Sequence, residues 1–320
     1  MKPFLLYLLL LAFLVSSCDR DNDPAPPAAT FKVVYSSSAV SGTPQFDIFT
    51  KEGDKAPVRI AFATGFNNRA PRISPNKQKI LFFRTPVGIA PAAIPSENEL
   101  WVMNADGSAP VKIVAKNTNG WSQMSAANWS PDGTKITVAA KKSGGDLAWH
   151  IFIINADGSN PVQVTTRTAF YNMPAFSPDG SKITCIGVPP GSGSNVTDST
   201  ELYTMNLNGS AETRLTFNTV ANANPVWSPD TESIMFSEQA GASRNEIKAI
   251  KPDGTNLRTL FSDANDNRSA RYNPVGDFVF FIRQTPGTAA HVSCVQRNGQ
   301  NLVDITTGIS TIDEDVDVIN

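Results

Sequence analysis

The chain has 320 residues, of which 41% are apolar and 18% are charged, a composition typical of a folded, water-soluble protein. Aromatic and β-branched residues are plentiful and long stretches of helical period are missing, so the composition favours an all-β chain. All-β folds of this length can form one domain. The formal net charge is −2 and no basic stripe occurs, which excludes a nucleic-acid footprint and argues against electrostatic binding to anionic lipid.

The first 17 residues are typical of a secretory signal. Lys2 precedes an apolar run, Phe4–Val15, which as a helix of about 18 Å is too short for a hydrocarbon core of about 30 Å. The sequence Val15-Ser16-Ser17-Cys18 resembles the lipobox of bacterial lipoproteins, in which the cysteine thiol is acylated and becomes the first residue. An ordinary signal peptide followed by a chance cysteine is the alternative. We predict a lipoprotein signal peptide over residues 1–17 and lipidation of Cys18.

Residues 18–30 are predicted to be the lipidated cysteine and a flexible tether. The segment DRDNDPAPPAAT after Cys18 is charged, rich in Pro and Ala, and without apolar periodicity, so it cannot bury a core. Fully extended, its twelve residues would reach roughly 40 Å from a membrane. Its acidic run lacks the Gly and terminal Glu of a calcium loop and is interpreted as a solvated spacer.

Internal repetition dominates the rest of the chain. A turn with Gly after Asp, Asn or Glu recurs six times, at intervals of 45 to 54 residues, at Gly53, Gly107, Gly158, Gly209, Gly254 and Gly299. A turn with Pro after Ser or Asn recurs at Ser74-Pro75, Ser130-Pro131, Ser177-Pro178, Ser228-Pro229 and Asn273-Pro274. Between them lie two nearly continuous apolar runs, flanked by a polar run after each Gly and a short run before each Pro. Four strands per copy predict a propeller blade.

The repeats resemble those of TolB-type propellers. The resemblance is carried by Asn128–Ile136 and Ala175–Ile183, which contain Ser-Pro-Asp-Gly, and by Leu100–Ser108 and Ile151–Ser159, which contain Asn-Ala-Asp-Gly-Ser. It covers residues 31–320 and implies an all-β fold: a six-bladed β-propeller with four-stranded blades.

Ring closure is predicted from the two ends of the repeat region. Phe31 begins on the second strand of a blade, and Asp313–Asn320 supplies a strand that otherwise has no partner. We therefore predict that the C-terminal strand joins the N-terminal blade, which leaves no open sheet edge.

The working surface is predicted on the face opposite the Ser-Pro and Asp-Gly turns, because that face carries the variable connections. There the starts of the innermost strands would ring the mouth of the central channel, with Arg72 and Arg271 further down the shaft. The predicted binding residues are Asn68, Arg69, Arg72, Met124, Tyr171, Asn172, Asn222, Asn224, Asn267, Arg268, Arg271, Asp313 and Asp315. Convergent polar groups at a concave mouth favour binding. The alternative is that Asn caps turns and Arg pairs with the acidic strand.

Neither metal nor cofactor is predicted. His150 and His291 share one repeat position with glutamates of other blades, which indicates a structural hydrogen bond rather than the three or four convergent ligands of a metal site. The Asp263-x-Asn265-x-Asn267 spacing lacks the Gly and Glu of a calcium loop and is interpreted as coil. Cys185 and Cys294 lie in apolar runs and are predicted to be buried free thiols. The turn serines have no recurring base beside them, so they are predicted to be structural.

The functional hypothesis is an envelope-anchored binding or scaffold module for a protein, peptide or glycan. The resemblance implies envelope partners, but TolB-type proteins have an additional N-terminal α/β domain and no lipid anchor, so their particular partners are not transferred. We expect a monomeric propeller in the bacterial cell envelope, lipid-anchored at the outer membrane on its periplasmic or surface face, and not an enzyme.

Two alternatives remain open. One is a propeller enzyme of hydrolase or lyase type. Against it, oligogalacturonate lyases depend on a histidine-rich metal site and prolyl oligopeptidase relatives on a hydrolase domain with a Gly-x-Ser-x-Gly elbow, which this sequence lacks. The other is an accessory subunit of a surface uptake or secretion assembly.

Overall fold

A computed structural model describes residues 31–39, 45–61, 63–90, 93–144, 148–167, 169–190, 199–306 and 311–319. The predicted signal peptide, Cys18 and the tether lie outside the described residues. Across the described ranges, no helix has the length and apolar character needed to cross a membrane.

The described chain is almost entirely β-strand. The first half contains β1 (Lys32–Ala39), β2 (Asp47–Glu52), β3 (Val58–Ala61), β4 (Phe66–Ile73), β5 (Lys79–Pro86), the helical turn α1 (Ile94–Glu97), β6 (Glu99–Asn104), β7 (Val111–Val114), β8 (Trp121–Trp129), β9 (Lys135–Lys142), β10 (Trp149–Asn155) and β11 (Val162–Gln163). The second half contains β12 (Tyr171–Phe176), β13 (Lys182–Gly187), β14 (Glu201–Asn206), β15 (Thr213–Arg214), β16 (Asn222–Trp227), β17 (Ile234–Gly241), β18 (Arg244–Ile250), β19 (Arg258–Phe261), β20 (Asp266–Tyr272), β21 (Phe278–Gln284), β22 (Ala290–Gln296), β23 (Val303–Asp304) and β24 (Thr311–Val318).

These strands form six antiparallel four-stranded sheets, which are the blades. Blade 1 has the order β24-β1-β2-β3, and blades 2 to 6 take four consecutive strands each, from β4–β7 to β20–β23. The strand that stands first in each of these orders is the innermost one, so β24 is innermost in blade 1 and β4 in blade 2. The predicted six-bladed propeller is confirmed.

The ring closes where the C-terminal strand pairs with the first strand. β24 lies antiparallel to β1, with Val33 opposite Val318 and Tyr35 opposite Val316. Val316 is fully buried and packs with Phe280 of blade 6. The predicted closure by the C-terminal strand is therefore confirmed, and the strand begins at Thr311.

The Ser-Pro turns are held by their own side chains. In the turn of blade 3, the Ser130 hydroxyl donates to Asp132 Oδ1 at 2.6 Å and accepts from the Lys135 amide at 2.9 Å. The Gly133 amide donates to the Ser130 carbonyl at 2.9 Å. The Ser130 hydroxyl thus acts as donor and acceptor within its own turn, which is the structural role that the sequence indicates.

The Gly turns are contact points between successive blades. Gly107 has φ +87°, and a Cβ built on it would lie 1.8 Å from the carbonyl oxygen of Ile60 in the preceding blade. Gly158 repeats the arrangement against Ile113, at 2.0 Å. These turns require glycine both for the backbone conformation and for the close approach of the next blade.

The hydrophobic core lies between neighbouring blades rather than within one. Between blades 2 and 3, Leu81, Trp121 and Phe152 are buried in one cluster. Cys185 and Cys294 are buried and free, as predicted. Each blade is therefore stabilised mainly by its neighbours, and ring closure completes the last interface.

Truncating Val316 should test the closing strand. We expect Val316→Ala to lower the free energy of unfolding by about 2 kcal/mol, because it leaves a cavity at a fully buried interface. Val275→Ala, at a turn residue that is 76% exposed, should change it by no more than about 0.5 kcal/mol. Urea unfolding of both variants measures the difference, and equal effects would contradict closure by β24.

Candidate functional site

The inner strands of blades 2 to 6 share a bulge near their midpoints. The residues with positive φ at this position are Ala70, Ala126, Met173, Asn224 and Ser269, with φ between +41° and +56°. Each falls where the pairing with the second strand shifts register. A bulge of this kind bends and twists the strand and re-aims neighbouring side chains.

One predicted repeat position is buried, so its members do not contribute surface at the channel mouth. It comprises Asn68, Met124, Tyr171, Asn222 and Asn267, each no more than 2% exposed. The prediction that these residues ring the mouth is wrong in this respect, because the strand turns this position into the blades.

Met124 and Tyr171 are the two members of this position that are not asparagine, and both pack against other apolar side chains. Met124 packs with Trp121 between blades 2 and 3. The Tyr171 hydroxyl donates to Glu212 at 2.8 Å, and its ring contacts Tyr203 at 6.1 Å between centroids. Both side chains therefore serve blade packing.

The three asparagines at the same position form hydrogen bonds with a neighbouring strand or loop. Asn68 Oδ1 accepts from Arg84 Nε at 2.8 Å. Asn222 Nδ2 donates to the Thr200 carbonyl at 2.6 Å, and Asn267 Nδ2 donates to Asp263 Oδ1 at 2.9 Å. The bond of Asn267, which reaches the loop before β20, is the one of the three that matches the alternative interpretation in which Asn caps a turn.

Asp313 is also buried rather than displayed at the mouth. Its Oδ2 accepts from the Thr306 hydroxyl at 2.5 Å, and it is fully buried. Burial raises the pKa of Asp313, although the hydrogen bond from Thr306 opposes that effect. Its place as a mouth residue is corrected to one inside blade 1.

The next repeat position forms the mouth opposite the Ser-Pro turns, which we call the variable-loop mouth. Arg69 and Arg268 lie on either side of the closing strand, with side chains 25% and 26% exposed. Arg69 Nε lies 3.4 Å from Glu314 Oε2, and its guanidinium stacks 4.1 Å above the Phe46 ring. Both arginines are thus partly exposed and held in place.

Arg268 is fixed by a different set of contacts. Its Nη1 donates to Asp266 Oδ2 at 2.5 Å and to Gln284 Oε1 at 3.1 Å. Asn172 and Asn224 extend the polar rim on the far side. Asn172 accepts from the Ser125 hydroxyl at 3.0 Å, and Asn224 Nδ2 donates to the Ser269 hydroxyl at 3.4 Å.

The shaft below this mouth contains an ionic cluster around the closing strand. Arg72 Nη1 lies 3.0 Å from Asp315 Oδ1, and Asp317 Oδ2 accepts from the Ile73 amide at 2.8 Å. Arg271 is buried. Burial, together with the nearby charge of Arg72, lowers the pKa of Arg271 to about 10, against the opposing effect of Asp315 and Asp317. Arg72 and Arg271 therefore both interact with carboxylates of the closing strand.

A second opening of the channel was missed by the sequence reasoning. On the face that carries the Ser-Pro turns lies a cavity of about 310 Å³, which we call the Ser-Pro cavity. Its walls include Trp129, Phe176 and Trp227, each at the end of an inner strand and directly before a Ser-Pro turn. An aromatic residue recurring at that position was the sequence signal.

The remaining candidate groups have structural partners. The His150 ring Nδ1 lies 3.4 Å from the Thr165 hydroxyl, and Glu201, at the same repeat position, binds the Thr216 hydroxyl. Asp263 accepts hydrogen bonds from Asn265, Asn267 and Arg283. In the part of the chain that the structure describes, no three His, Cys, Asp or Glu side chains converge as a metal site.

Comparisons with known proteins agree with this architecture. The family model described as the TolB beta propeller domain matches residues 112–315. An uncharacterized protein of Agrobacterium fabrum is 28% identical over 153 residues, which cover 48% of this chain and 48% of that protein. The Tol-Pal system protein TolB of Francisella tularensis subsp. mediasiatica is 25% identical over 191 residues, 60% of this chain and 41% of that protein. The chain thus spans less than half the length of these relatives.

Solved structures share the fold at low identity. TolB from Acinetobacter baumannii has a TM-score of 0.68 at 15% identity, covering 91% of this chain and 67% of that chain. Hydrazine synthase of Kuenenia stuttgartiensis has a TM-score of 0.69 at 12% identity, covering 91% of this chain and 47% of that chain. The likeness shows the fold alone, since the same architecture occurs with different functions.

Replacing Asp317 should change how stability depends on pH. Burial raises the pKa of Asp317 above its ordinary 3.8, against the attraction of Arg72 and Arg271. Above pH 3.8 the folded state then retains a proton that the unfolded chain has lost. The contribution of this group to stability is therefore full below pH 3.8 and is lost as pH rises through the folded pKa.

We expect the wild type to lose stability relative to Asp317→Asn as pH rises from about 4 to about 7. Urea unfolding at intervals across that range measures the difference. A relative gain of the wild type with rising pH would show that the arginines outweigh burial.

Proposed function

The chain belongs to the TolB beta propeller domain family, and we propose that it is an envelope lipoprotein whose propeller binds a protein partner at the variable-loop mouth. Support for a protein partner in the envelope comes from the relative named Tol-Pal system protein TolB. Because the chain spans less than half of that relative, its own partner is identified by the chemistry of the mouth.

The observation that carries the proposal is the pair of partly exposed arginines beside an acidic strand. Arg69 and Arg268 flank Glu314 and Asp315, so the mouth offers both charge signs within one concave surface. Arginine is enriched among residues that dominate binding energy at interfaces. The contacts that hold each guanidinium reduce the side-chain entropy lost on binding. A peptide segment with carboxylate or carbonyl groups would suit this mouth.

The rim opposite these arginines supplies polar groups of a different kind. Asn172 and Asn224 are half-buried and link the inner strands of successive blades. A side-chain amide has both donors and an acceptor, so the rim can bind peptide backbone as well as charged groups. This combination favours a protein or peptide over a ligand recognised by charge alone.

The proposed attachment to the membrane rests on the N-terminal sequence. A cleaved signal over residues 1–17, a lipid on Cys18 and a tether to residue 30 would keep the propeller within roughly 40 Å of the membrane surface. Stable anchoring needs more than one acyl chain, each buried methylene contributing about 0.8 kcal/mol.

Removing the Cys18 thiol should release the protein from the membrane. We expect Cys18→Ser to move the protein from the membrane fraction to the soluble fraction and to abolish incorporation of labelled fatty acid. Cys185→Ala, which removes a buried thiol of the core, should leave both unchanged. A Cys18→Ser variant that stays in the membrane fraction would contradict the anchor.

Removing both mouth arginines should weaken partner binding. With Arg69→Ala and Arg268→Ala combined, we expect at least about a tenfold loss, which corresponds to about 1.4 kcal/mol. The melting temperature should fall by only a few degrees, because partly exposed ion pairs contribute about 0–1 kcal/mol. The measurement is capture from solubilised envelope, with the recovered partner quantified against the bait.

The matched control is Arg297→Ala on the opposite face. Arg297 is 31% exposed and pairs with Asp230 at 2.5 Å, so it resembles the mouth arginines in exposure and pairing. The Arg297→Ala variant should bind the partner as tightly as the wild type does. Undiminished binding by the double variant would reject the mouth, and recovery of glycan without protein would reject the partner class.

A further inference from the structure

A polar cavity of about 540 Å³ lies between blades 5 and 6, on the face that carries the Ser-Pro and Gly turns. We call it the blade-5 cavity. Its described lining residues come from the two turns and the outermost strand of blade 5 and from the Gly turn of blade 6, and they are Glu232, Ser233, Lys251, Asn256, Arg258 and Arg297. Its volume is within the range of about 300–1,000 Å³ that is typical of sites for small molecules.

Two contacts between the blades fix the walls of this cavity. Arg297 Nη1 lies 2.5 Å from Asp230 Oδ2, which joins the Gly turn of blade 6 to the Ser-Pro turn of blade 5. A Cβ built on Gly299 would lie 1.9 Å from the carbonyl oxygen of Leu260, so the same turn also approaches β19 closely. Because Arg297 already has a carboxylate partner, it holds the wall of the cavity rather than offering a free charge.

Blade 5 lacks a side-chain pair that fills this place in blades 2 to 4. In blade 3, Lys135 at the start of the second strand donates through Nζ to Asn155 Oδ1 at 2.6 Å, and blades 2 and 4 repeat this bond. The strand pairing of blade 5 puts Ser233 and Lys251 at the same two positions. The Ser233 hydroxyl donates to the Ser228 hydroxyl at 3.2 Å instead. A short buried serine therefore replaces a long lysine, which leaves the space of the cavity.

Arg258 is a second departure from the repeat. It is the first residue of the outermost strand β19, a position that is valine in blades 1, 2, 3 and 6 and threonine in blade 4. Arg258 is half-buried. Within the described ranges, neither its guanidinium nor the Lys251 ammonium has a hydrogen bond or an ion pair. A partly buried cation without a counter-ion is unfavourable, so this pair of side chains favours an anionic ligand.

The acidic groups around these two cations leave them uncompensated. Asp253 accepts from the Thr255 amide at 2.9 Å and from its hydroxyl at 2.7 Å, within the Gly turn. These bonds lower the pKa of Asp253 and the charge of Lys251 contributes less, so Asp253 mainly serves its own turn. Glu232 is the one carboxylate among the described lining residues, and it is exposed. The cavity therefore has two unpaired cations against one exposed carboxylate.

The free donors of the cavity match a phosphate group. A guanidinium such as that of Arg258 can donate two parallel hydrogen bonds to phosphate oxygens, and an ammonium such as that of Lys251 adds a second positive charge. The side-chain amide of Asn256 supplies a neutral donor. A carboxylate carries one negative charge and would leave one of the two cations uncompensated, whereas a phosphate monoester is close to a dianion above about pH 6.

We propose that the blade-5 cavity binds a small phosphate monoester. Arg258 and Lys251 contact the phosphate oxygens, Asn256 donates to one of them, and the esterified group occupies the rest of the cavity beside Ser233. The site is on the face opposite the variable-loop mouth. It goes beyond the proposed function and does not depend on the partner bound at that mouth.

The first experiment is a calorimetric titration of the full-length protein in detergent with glycerol 3-phosphate at about pH 8, where the monoester is a dianion. We expect saturable binding to one site. Arg258→Val installs the residue that four other blades carry at this position, so the fold is retained, and it should weaken binding at least about tenfold. Glu232→Gln removes the opposing carboxylate and should tighten binding about threefold.

The matched control is Lys112→Gln in the outermost strand of blade 2. Lys112 is 42% exposed and pairs with Glu99 at 2.9 Å, and its replacement should leave the binding of glycerol 3-phosphate unchanged. Equal affinity of the wild type and Arg258→Val would overturn the proposal. An equal loss in Lys112→Gln and Arg258→Val would also overturn it, because it would show attraction by overall charge alone.

A charge-conserving exchange tests the cavity itself. Ser233→Lys combined with Lys251→Asn restores the lysine and asparagine of blades 2 to 4 without changing the net charge, and the new lysine fills the cavity. We expect this double variant to lose binding of glycerol 3-phosphate and to keep a melting temperature close to that of the wild type. Undiminished binding would show that the ligand does not occupy the cavity.

Backbone amide resonances of the ¹⁵N-labelled protein locate the ligand. Glycerol 3-phosphate should shift those of Asn256 and Arg258 and leave those of Ala109 and Val111, which occupy the same positions in blade 2. Shifts confined to the variable-loop mouth would overturn the assignment of the site to blade 5.

Three ligands in the same titration distinguish the source of the phosphate group. Inorganic phosphate is the free ion, glycerol 3-phosphate is a soluble monoester, and short-chain phosphatidic acid is a lipid monoester. Tighter binding of either monoester than of inorganic phosphate supports the proposal and identifies the source. Inorganic phosphate, or the monoanionic diester dimethyl phosphate, binding as tightly as both monoesters would reject a monoester as the ligand.

Discussion

The closing strand β24 is the constraint on which the rest of the structure depends. It completes blade 1 and provides the last blade-to-blade interface, and its carboxylates lie between two arginine-bearing inner strands. Glu314, Asp315 and Asp317 face Arg69 and Arg72 on one side and Arg268 and Arg271 on the other. Burial of any one of these charges alone would be unfavourable, because it would be left without compensation. The carboxylates of β24 therefore compensate the charges of those arginines. The same strand that closes the ring thus also determines the charge that lines the channel.

The same strands explain why the channel has both a packed shaft and a polar mouth. Each inner strand of blades 2 to 6 bulges at a residue with positive φ, which separates a position directed into the blades from one at the mouth. Asn68 and Arg69 are adjacent in sequence, yet the first is fully buried and the second is partly exposed. The bulge thus allows a regular strand, needed for blade pairing, to present a partly exposed guanidinium at the channel.

The fold was predictable because it depends on features that repeat. Six glycine turns and the matching Pro turns specify blade number and strand order, and the unpartnered strand at the C-terminus specifies closure. The site was only partly predictable, since side-chain direction after a bulge is not encoded in the repeat spacing. Met124 and Tyr171, at the same repeat position as three asparagines, were a sign that this position is buried. The aromatic residues before three Ser-Pro turns, Trp129, Phe176 and Trp227, marked the second opening, but they resembled ordinary core until the inner strands were placed around a common axis.

Closure also determines the face of the propeller on which the first strand, β1, begins. Because the innermost strand of blade 1 comes from the C-terminus, the first strand of the fold is the second strand of that blade. A second strand begins on the Ser-Pro face, since it follows the Ser-Pro turn in every other blade. If the N-terminus had supplied the innermost strand, the chain would have entered on the variable-loop face, beside Arg69 and Arg268. The topology of closure therefore places the start of β1 and the variable-loop mouth at opposite ends of the channel.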